Sequence, residues 1–254
     1  MKNQALITKR NTVGIIGFGA FGKLIAQSLS GQFVLLAHDP QANRRNVAPE
    51  PDVEFVSLEA VAQCDVIVIA TPVHTFEEVL TSVATNCRPG ALVVDVGSVK
   101  VQPSDLMERI LPDHVDIIAT HPLFGPQSAR NGIRGLKIAI CPIRGCRHRR
   151  FAAFLRKCLG LNVIMTTPQD HDREAATVQG LTHLIAKVLQ RMGPLPTRMT
   201  TRSFDLLVEA ISMVQDDAPE VFDAIEKANP YSANVRRRFF DLAHELNIEL
   251  ESKS

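Results

Sequence analysis

The apolar patterning of these 254 residues predicts an α/β fold in two parts. An N-terminal, doubly wound, mainly parallel sheet takes residues 1–167, and a C-terminal all-helical domain takes residues 168–254. Three observations carry this. Apolar runs of strand length alternate with stretches of helical period up to residue 166. A glycine-patterned turn, Gly17-Phe18-Gly19-Ala20-Phe21-Gly22, joins the first run to the first helical stretch. Past Thr167-Pro168, nothing alternates like a strand.

The strands expected in order are 12–16, 32–37, 53–56, 65–70, 91–95, 115–120, 137–141 and 162–166. The run at 65–70, Asp-Val-Ile-Val-Ile-Ala, is continuously apolar after its first residue, as in a parallel strand buried on both faces. Helices are expected at 23–29, after a cap at Ser57 with Leu58 and Val61, at 75–84 and at 147–158. The last strands can be mixed in direction. Beyond the boundary, helices are expected at 169–192, 199–215, 219–228 and 231–247, broken at Gly193-Pro194-Leu195-Pro196 and Asn229-Pro230. Leu181, Leu184, Ile185, Val188 and Leu189 line one tail helix, and Leu206, Leu207, Ile211 and Val214 another. Such faces need a partner, and a symmetric homodimer is expected to supply it.

Composition narrows the function. A net charge of +1 gives no global signal for nucleic acid or membranes. The basic runs at 144–150 and 236–238 read as solvated surface. With no Trp and one Tyr, stacking platforms for bases are scarce. The five cysteines (Cys64, Cys87, Cys141, Cys146, Cys158) lack metal-ligand spacing, so no metal is expected, and reduced thiols point to the cytoplasm. Lys2, Lys9 and Arg10 precede an apolar stretch as in a signal peptide, but the glycines within it favour a nucleotide turn. No run approaches the ~18 apolar residues of a membrane span.

Strand, glycine turn and helix in succession form the Rossmann-type dinucleotide site. Gly17 allows the sharp turn, Gly19 leaves room for a pyrophosphate, and Gly22 lets helix and strand approach closely. Phe18, Ala20 and Phe21 complete the turn, whose amides and helix dipole favour an anion. The second strand ends at His38-Asp39, with Asp39 22 residues after Gly17, where an acidic residue binds the adenosine ribose. A carboxylate there repels a 2′-phosphate, so NAD is expected. Arg44 and Arg45 leave NADP open.

Ligands of such sheets bind beyond the carboxyl ends of the strands. Four clusters fall there: the glycine turn, Thr71-Pro72, Asp95-Val-Gly-Ser98-Val-Lys100, and His121-Pro-Leu-Phe-Gly125. Thr71, Pro72 and Ser98 are candidates for cofactor contact. His121 is the candidate general base, since a neutral imidazole with a pKa near ~6.5 can accept a hydroxyl proton as hydride leaves the same carbon.

Asp95-Val-Gly-Ser98-Val-Lys100 with Thr120-His-Pro-Leu-Phe-Gly-Pro-Gln127-Ser128 resembles the prephenate and arogenate dehydrogenases of tyrosine biosynthesis, most of all the arogenate branch. The resemblance spans nearly the whole chain and includes His171-Asp172 and Thr182-His183-Leu184. It implies oxidative decarboxylation of a cyclohexadienyl acid. In that frame His121 is the base, Ser98 orients it or the hydroxyl, and His183 contacts substrate. His171, at a helix start, reads as a capping or surface group.

The chain departs from prephenate-specific members in two places. Gln127 stands where many carry an acidic residue, and Phe222 where they carry a substrate-binding arginine. Both favour arogenate, with Gln127, Gln179 and Lys100 as substitute polar contacts. Two alternatives stay open. A β-hydroxyacid or 6-phosphogluconate-like dehydrogenase would need a tail lysine with a neighbouring Asn, and Lys187 lacks that Asn. A non-catalytic NAD-sensing module would make no use of His121.

Overall fold

The computed structural model describes residues 11–41 and 52–252. Its order is β1 (Thr12–Ile16), α1 (Ala20–Leu29), β2 (Val34–His38), β3 (Val53–Phe55), α2 (Leu58–Ala62), β4 (Val66–Ile69), α3 (Phe76–Asn86), β5 (Leu92–Asp95) and α4 (Val101–Ile110). There follow β6 (Asp116–Pro122), β7 (Lys137–Arg144), α5 (His148–Lys157), β8 (Asn162–Met165), α6 (Pro168–Arg191), α7 (Arg202–Ser212), α8 (Pro219–Asp223), a π-helical turn (Ala224–Ala228) and α9 (Ser232–Ser252). Arg44 and Arg45, like Lys2, Lys9 and Arg10, lie outside the described residues.

One sheet runs β3-β2-β1-β4-β5-β6-β7-β8, parallel throughout except for the antiparallel β6–β7 pair. That pairing carries β6 two residues further than expected, because His121 sits opposite Ala139 and Pro122 opposite Ile138. His121 is therefore the penultimate residue of a strand, not the first residue after one.

Alternation along β1 divides the core. Ile16 joins Ile67, Phe76, Leu80, Met107 and Ile117 under α2, α3 and α4. Val13 and Ile15 join Phe18, Ala26 and Leu35 under α1. Further along that second face, Leu92, Val94, Ile118 and Ile140 pack with Leu155 of α5. Between α1 and α5 lies an apolar cleft of about 340 Å³.

α4 has no counterpart in the sequence expectation. Its N-terminus receives no capping side chain from nearby residues. Asp172, near the start of α6, instead accepts the amides of Lys100 at 2.7 Å and Val101 at 2.9 Å. A remote carboxylate thus satisfies donors that every helix start leaves open. It also fastens the helical tail to the carboxyl edge of the sheet. Within the tail, Asn229 steadies this segment of α6 by donating its side-chain amide to the Asp172 carbonyl at 2.8 Å.

Candidate active site

The glycine turn has the shape its pattern predicts. Gly17 has φ +92°, and a Cβ there would lie 2.6 Å from the Ala70 carbonyl oxygen. At Gly22 a Cβ would lie 2.2 Å from the Gly17 carbonyl, so helix and turn touch backbone to backbone. A Cβ on Gly19 would meet nothing within 4 Å, which leaves that side of the turn open to a pyrophosphate. Ala20 is exposed and Phe21 half-buried, its ring 6.3 Å from that of Phe124. Phe18 is a core side chain, edge-on to Phe55 at 4.9 Å, so only its backbone lies at the turn.

Asp39 closes the turn from the second strand. Its carboxylate accepts the Phe18 amide at 2.9 Å and the Gln41 amide at 2.7 Å. The Phe18 amide is therefore engaged within the protein. Half-buried Asp39 keeps further lone pairs for ribose hydroxyls. The His38 ring is tied to the Val56 carbonyl through Nδ1 at 3.1 Å, bracing β2 against the segment after β3. Thr71 abuts Gly17, and its Oγ1 is buried without a hydrogen-bond partner. Such an orphan beside an open glycine turn suits a bound polar ligand. Pro72 is exposed next to it.

At the end of β5 the Asp95 side chain is wholly buried and meets the Lys100 ammonium. The carboxylate also accepts the amides of Gly97 at 3.0 Å and Thr120 at 3.2 Å. The Lys100 ammonium donates to the Thr120 carbonyl as well. Burial pushes the Asp95 carboxyl up, while Lys100 and the two amides pull it back. Lys100 has no exposed surface, which removes it from the substrate contacts. An ammonium inside a sheet edge must be paired, and Asp95 pairs it.

His121 is buried, with 4% of its surface exposed. Its Nδ1 lies 2.9 Å from Nε2 of His171, and His171 Nδ1 lies 2.8 Å from the Asp172 carboxylate. The other nitrogen, Nε2, has the Gln179 amide nitrogen at 3.4 Å. Burial, then His171 and Lys100, hold the His121 pKa well below the usual histidine value. The expected value near ~6.5 is thus too high, because the ring is enclosed by α6 instead of standing at an open strand end. His171 is likewise buried, and Asp172 is completely so; neither belongs to the surface. Ser98 is half-buried after β5, and Nδ1 of His121 is already taken by His171.

Along α6, Gln179 and His183 follow His171 on the buried face. His183 contacts the Gln179 carbonyl at 3.0 Å and the Asp217 carboxylate at 3.1 Å. The Phe222 ring is centred 6.5 Å from that of His183, and the Lys187 ammonium lies 5.6 Å from its centroid. Gln127 sits in an exposed turn after β6. From the sequence, Asp172 is noted only beside His171 in the resemblance and carries no role, and Asp217 goes unnoticed. For Asp172 one signal existed: His171 and Asp172 share a helical face with the small residues Ala175, Ala176 and Gly180, the mark of a closely packed face.

Among the described residues, no group of three or more His, Cys, Asp or Glu is arranged to hold a metal ion. No described helix is long and apolar enough to cross a membrane.

Comparison with known proteins points to one kind of enzyme. Residues 25–146 match the family described as prephenate dehydrogenase, nucleotide-binding domain. A probable arogenate/prephenate dehydrogenase of Methanocaldococcus jannaschii is 29% identical over 100% of this chain and 58% of its own length. Arogenate dehydrogenase 1, chloroplastic, of Arabidopsis thaliana is 27% identical over 95% of the chain and 39% of its own. The chain thus spans about half the length of these curated relatives. Among solved structures, prephenate dehydrogenase from A. aeolicus in complex with hydroxyphenyl propionate and NAD+ superposes with a TM-score of 0.71 at 20% identity, covering 100% of this chain and 94% of that one. Synechocystis arogenate dehydrogenase gives 0.64 at 19%, covering 94% and 93%. Both share the fold. Residues 25–146 are thus similar to the nucleotide-binding domain of prephenate dehydrogenases, and arogenate and prephenate dehydrogenases resemble this chain along most of its length.

Proposed function

We propose that this protein oxidatively decarboxylates a cyclohexadienyl acid, arogenate in preference to prephenate, as a step of tyrosine biosynthesis. The observation that carries the reading is His121: a buried imidazole at the carboxyl end of β6, kept neutral by its surroundings, with Nε2 towards Gln179 and not towards a carboxylate. A neutral imidazole there can take the proton of the substrate's ring hydroxyl. NAD would be held by the turn from Gly17 to Gly22, by Asp39 on its ribose and by Thr71. When bound, it supplies the two-electron acceptor for the hydride. Ser98, at the end of β5, orients the substrate hydroxyl, and His183 with Gln179 lines the substrate's wall.

Several finer statements belong to the same proposal. Residues 1–167 form the nucleotide domain, and residues 168–254 form the substrate and dimer domain. Val188, Leu206, Leu207, Phe240 and Leu246 remain exposed on the tail helices, which supports a homodimer through that region. Reduced cysteines, none of them paired here, fit a cytoplasmic enzyme.

Four parallel assays of NAD(P)H production test the function: arogenate and prephenate, each with NAD and with NADP. The expected order places arogenate with NAD first. Asp39→Ser should narrow the NAD preference, because it removes the charge facing a 2′-phosphate. Failure of every combination to produce reduced cofactor would overturn the reading. Light scattering that finds a monomer at micromolar concentration would remove the dimer.

A further inference from the structure

We infer that Asp172 and His171 are positioning residues for the reaction, which set the tautomer of His121 and leave its Nε2 bare towards the substrate. This rests on the proposed role of His121 as base.

Donors and acceptors are fixed in turn from the buried end of the network. The Asp172 carboxylate accepts two backbone amides, from Lys100 and Val101, an arrangement that suits the ionised form. An ionised carboxylate can only accept, so His171 Nδ1, 2.8 Å away, must carry a proton. A neutral His171 then has a lone pair at Nε2. That lone pair lies 2.9 Å from His121 Nδ1, which must in turn donate. With its proton on Nδ1, neutral His121 presents an unprotonated Nε2, the form a general base needs. The contact on that side agrees, because the Gln179 amide nitrogen at 3.4 Å is a donor and meets a lone pair. Gln179 Oε1, buried and without a partner, remains available to accept from a ligand.

The same chain acts after proton transfer. The substrate proton goes to Nε2, the O–H electron pair stays on the substrate oxygen, and His121 becomes an imidazolium. Its Nδ1–H still faces His171 Nε2, and the charge is backed by the Asp172 carboxylate. This is the division of labour in the serine-protease triad, with a second imidazole interposed between base and carboxylate. No proton needs to leave His171.

The experiment joins a spectroscopic readout to kinetics. In ¹⁵N-labelled protein without cofactor, at a pH where the histidines are neutral, long-range proton–nitrogen correlations should show His121 protonated at Nδ1. In His171→Leu, which offers no acceptor, the proton should move largely to Nε2. The kcat should then fall by about 10²-fold or more, the scale of general-base assistance, with NAD affinity unchanged. His171→Gln can return an acceptor oxygen to Nδ1, and should restore both the tautomer and most of the lost kcat. Asp172→Asn should behave like His171→Leu if it folds; the His171 pair decides the matter if the lost cap on α4 unfolds it. An Nε2–H tautomer in the unaltered protein would overturn the inference, as would a His171→Leu enzyme keeping more than a third of its kcat. The function can fail separately. An active His121→Asn enzyme would sink the base, whereas an inactive one beside a fully active His171→Leu would sink only the relay.

Discussion

Two buried networks begin at carboxylates on the same sheet edge and share one residue, Lys100, yet they end differently. The Asp95 network is closed. Its carboxylate takes the Lys100 ammonium and two amides, the ammonium also meets the Thr120 carbonyl, and neither side chain touches solvent. The Asp172 network takes the Lys100 backbone amide, then runs through His171 to His121 and stops at a ring nitrogen with one long contact. Closure turns buried charge into rigidity. An open end turns the same arrangement into chemistry.

The largest test of that contrast is to unpair the closed network. Lys100→Met leaves the Asp95 carboxylate buried without its cation. Removing one partner of a buried pair typically costs about 3–5 kcal/mol. Chemical denaturation should show a loss of that order. The double variant Asp95→Leu/Lys100→Met should recover much of it, since a buried pair is often replaced by apolar groups at little net cost. A single variant as stable as the parent would mean that Lys100 escapes to solvent.

The open network should respond in activity, not stability. His121→Asn keeps a polar group of similar reach but removes the base. The kcat should fall by about 10²–10⁴-fold, or roughly 3–5 kcal/mol of barrier. NAD binding and the denaturation midpoint near pH 8 should barely change. Retention of more than a tenth of the activity would show that another group takes the proton. Ser98→Ala should also lower kcat, but less, because His121 is already held by His171; a loss confined to NAD binding would make Ser98 a cofactor residue only.

The pH dependence follows from the depressed pKa of His121. The groups facing it are His171 and Asp172 from α6 and Lys100 with Asp95 from the β5 end. The base works when neutral, which is above its folded pKa. Lowering that pKa moves the acidic limb of kcat/KM to clearly below ~6.5, the ordinary histidine value. Linkage has a definite sign too: the unfolded chain binds this proton first, so stability is lost as pH falls from about 6.5 towards the folded pKa. His121→Asn should flatten that loss in denaturation curves taken across the window. A kcat/KM limb centred at or above 6.5 would contradict the burial argument.

Much of this was legible in the sequence where one local pattern decided the structure. The turn from Gly17 to Gly22 needs particular glycines at particular positions, and the apolar runs of β4, β5 and β6 can be little else in a doubly wound sheet. The parts that escaped depend on distant partners. Lys100, just before α4, is bound by Asp172 seventy-two positions away, and nothing near Lys100 announces that cap. Likewise, β6 extends through His121 only because β7 returns antiparallel beside it. Lys100 read as a substrate contact and His171 as surface, and burial reverses both. Residue type told that these groups carry charge or protons, but only the packing of α6 onto the sheet edge told which one ends at an open ring nitrogen.

The smallest expected effect lies at the far wall of the open network, where Phe222 stands beside His183. Its ring offers a face to the Lys187 ammonium, a contact worth about 0.5–1 kcal/mol at an exposed site. Phe222→Arg would remove that contact and place a guanidinium beside Lys187. Asp217, paired with His183, and Asp223 would compete for the new charge. What remains can grip the side-chain carboxylate of prephenate, which lacks the ammonium of arogenate. A charge-assisted contact is worth about 1.5–3 kcal/mol when fully formed. Competition from the two aspartates should leave roughly the lower end, about a tenfold rise in the prephenate-to-arogenate ratio of kcat/KM. The change should come through KM, since the residue stands away from the proton being moved. A ratio unchanged within twofold would place the substrate's side chain elsewhere and leave position 222 as packing for His183 alone.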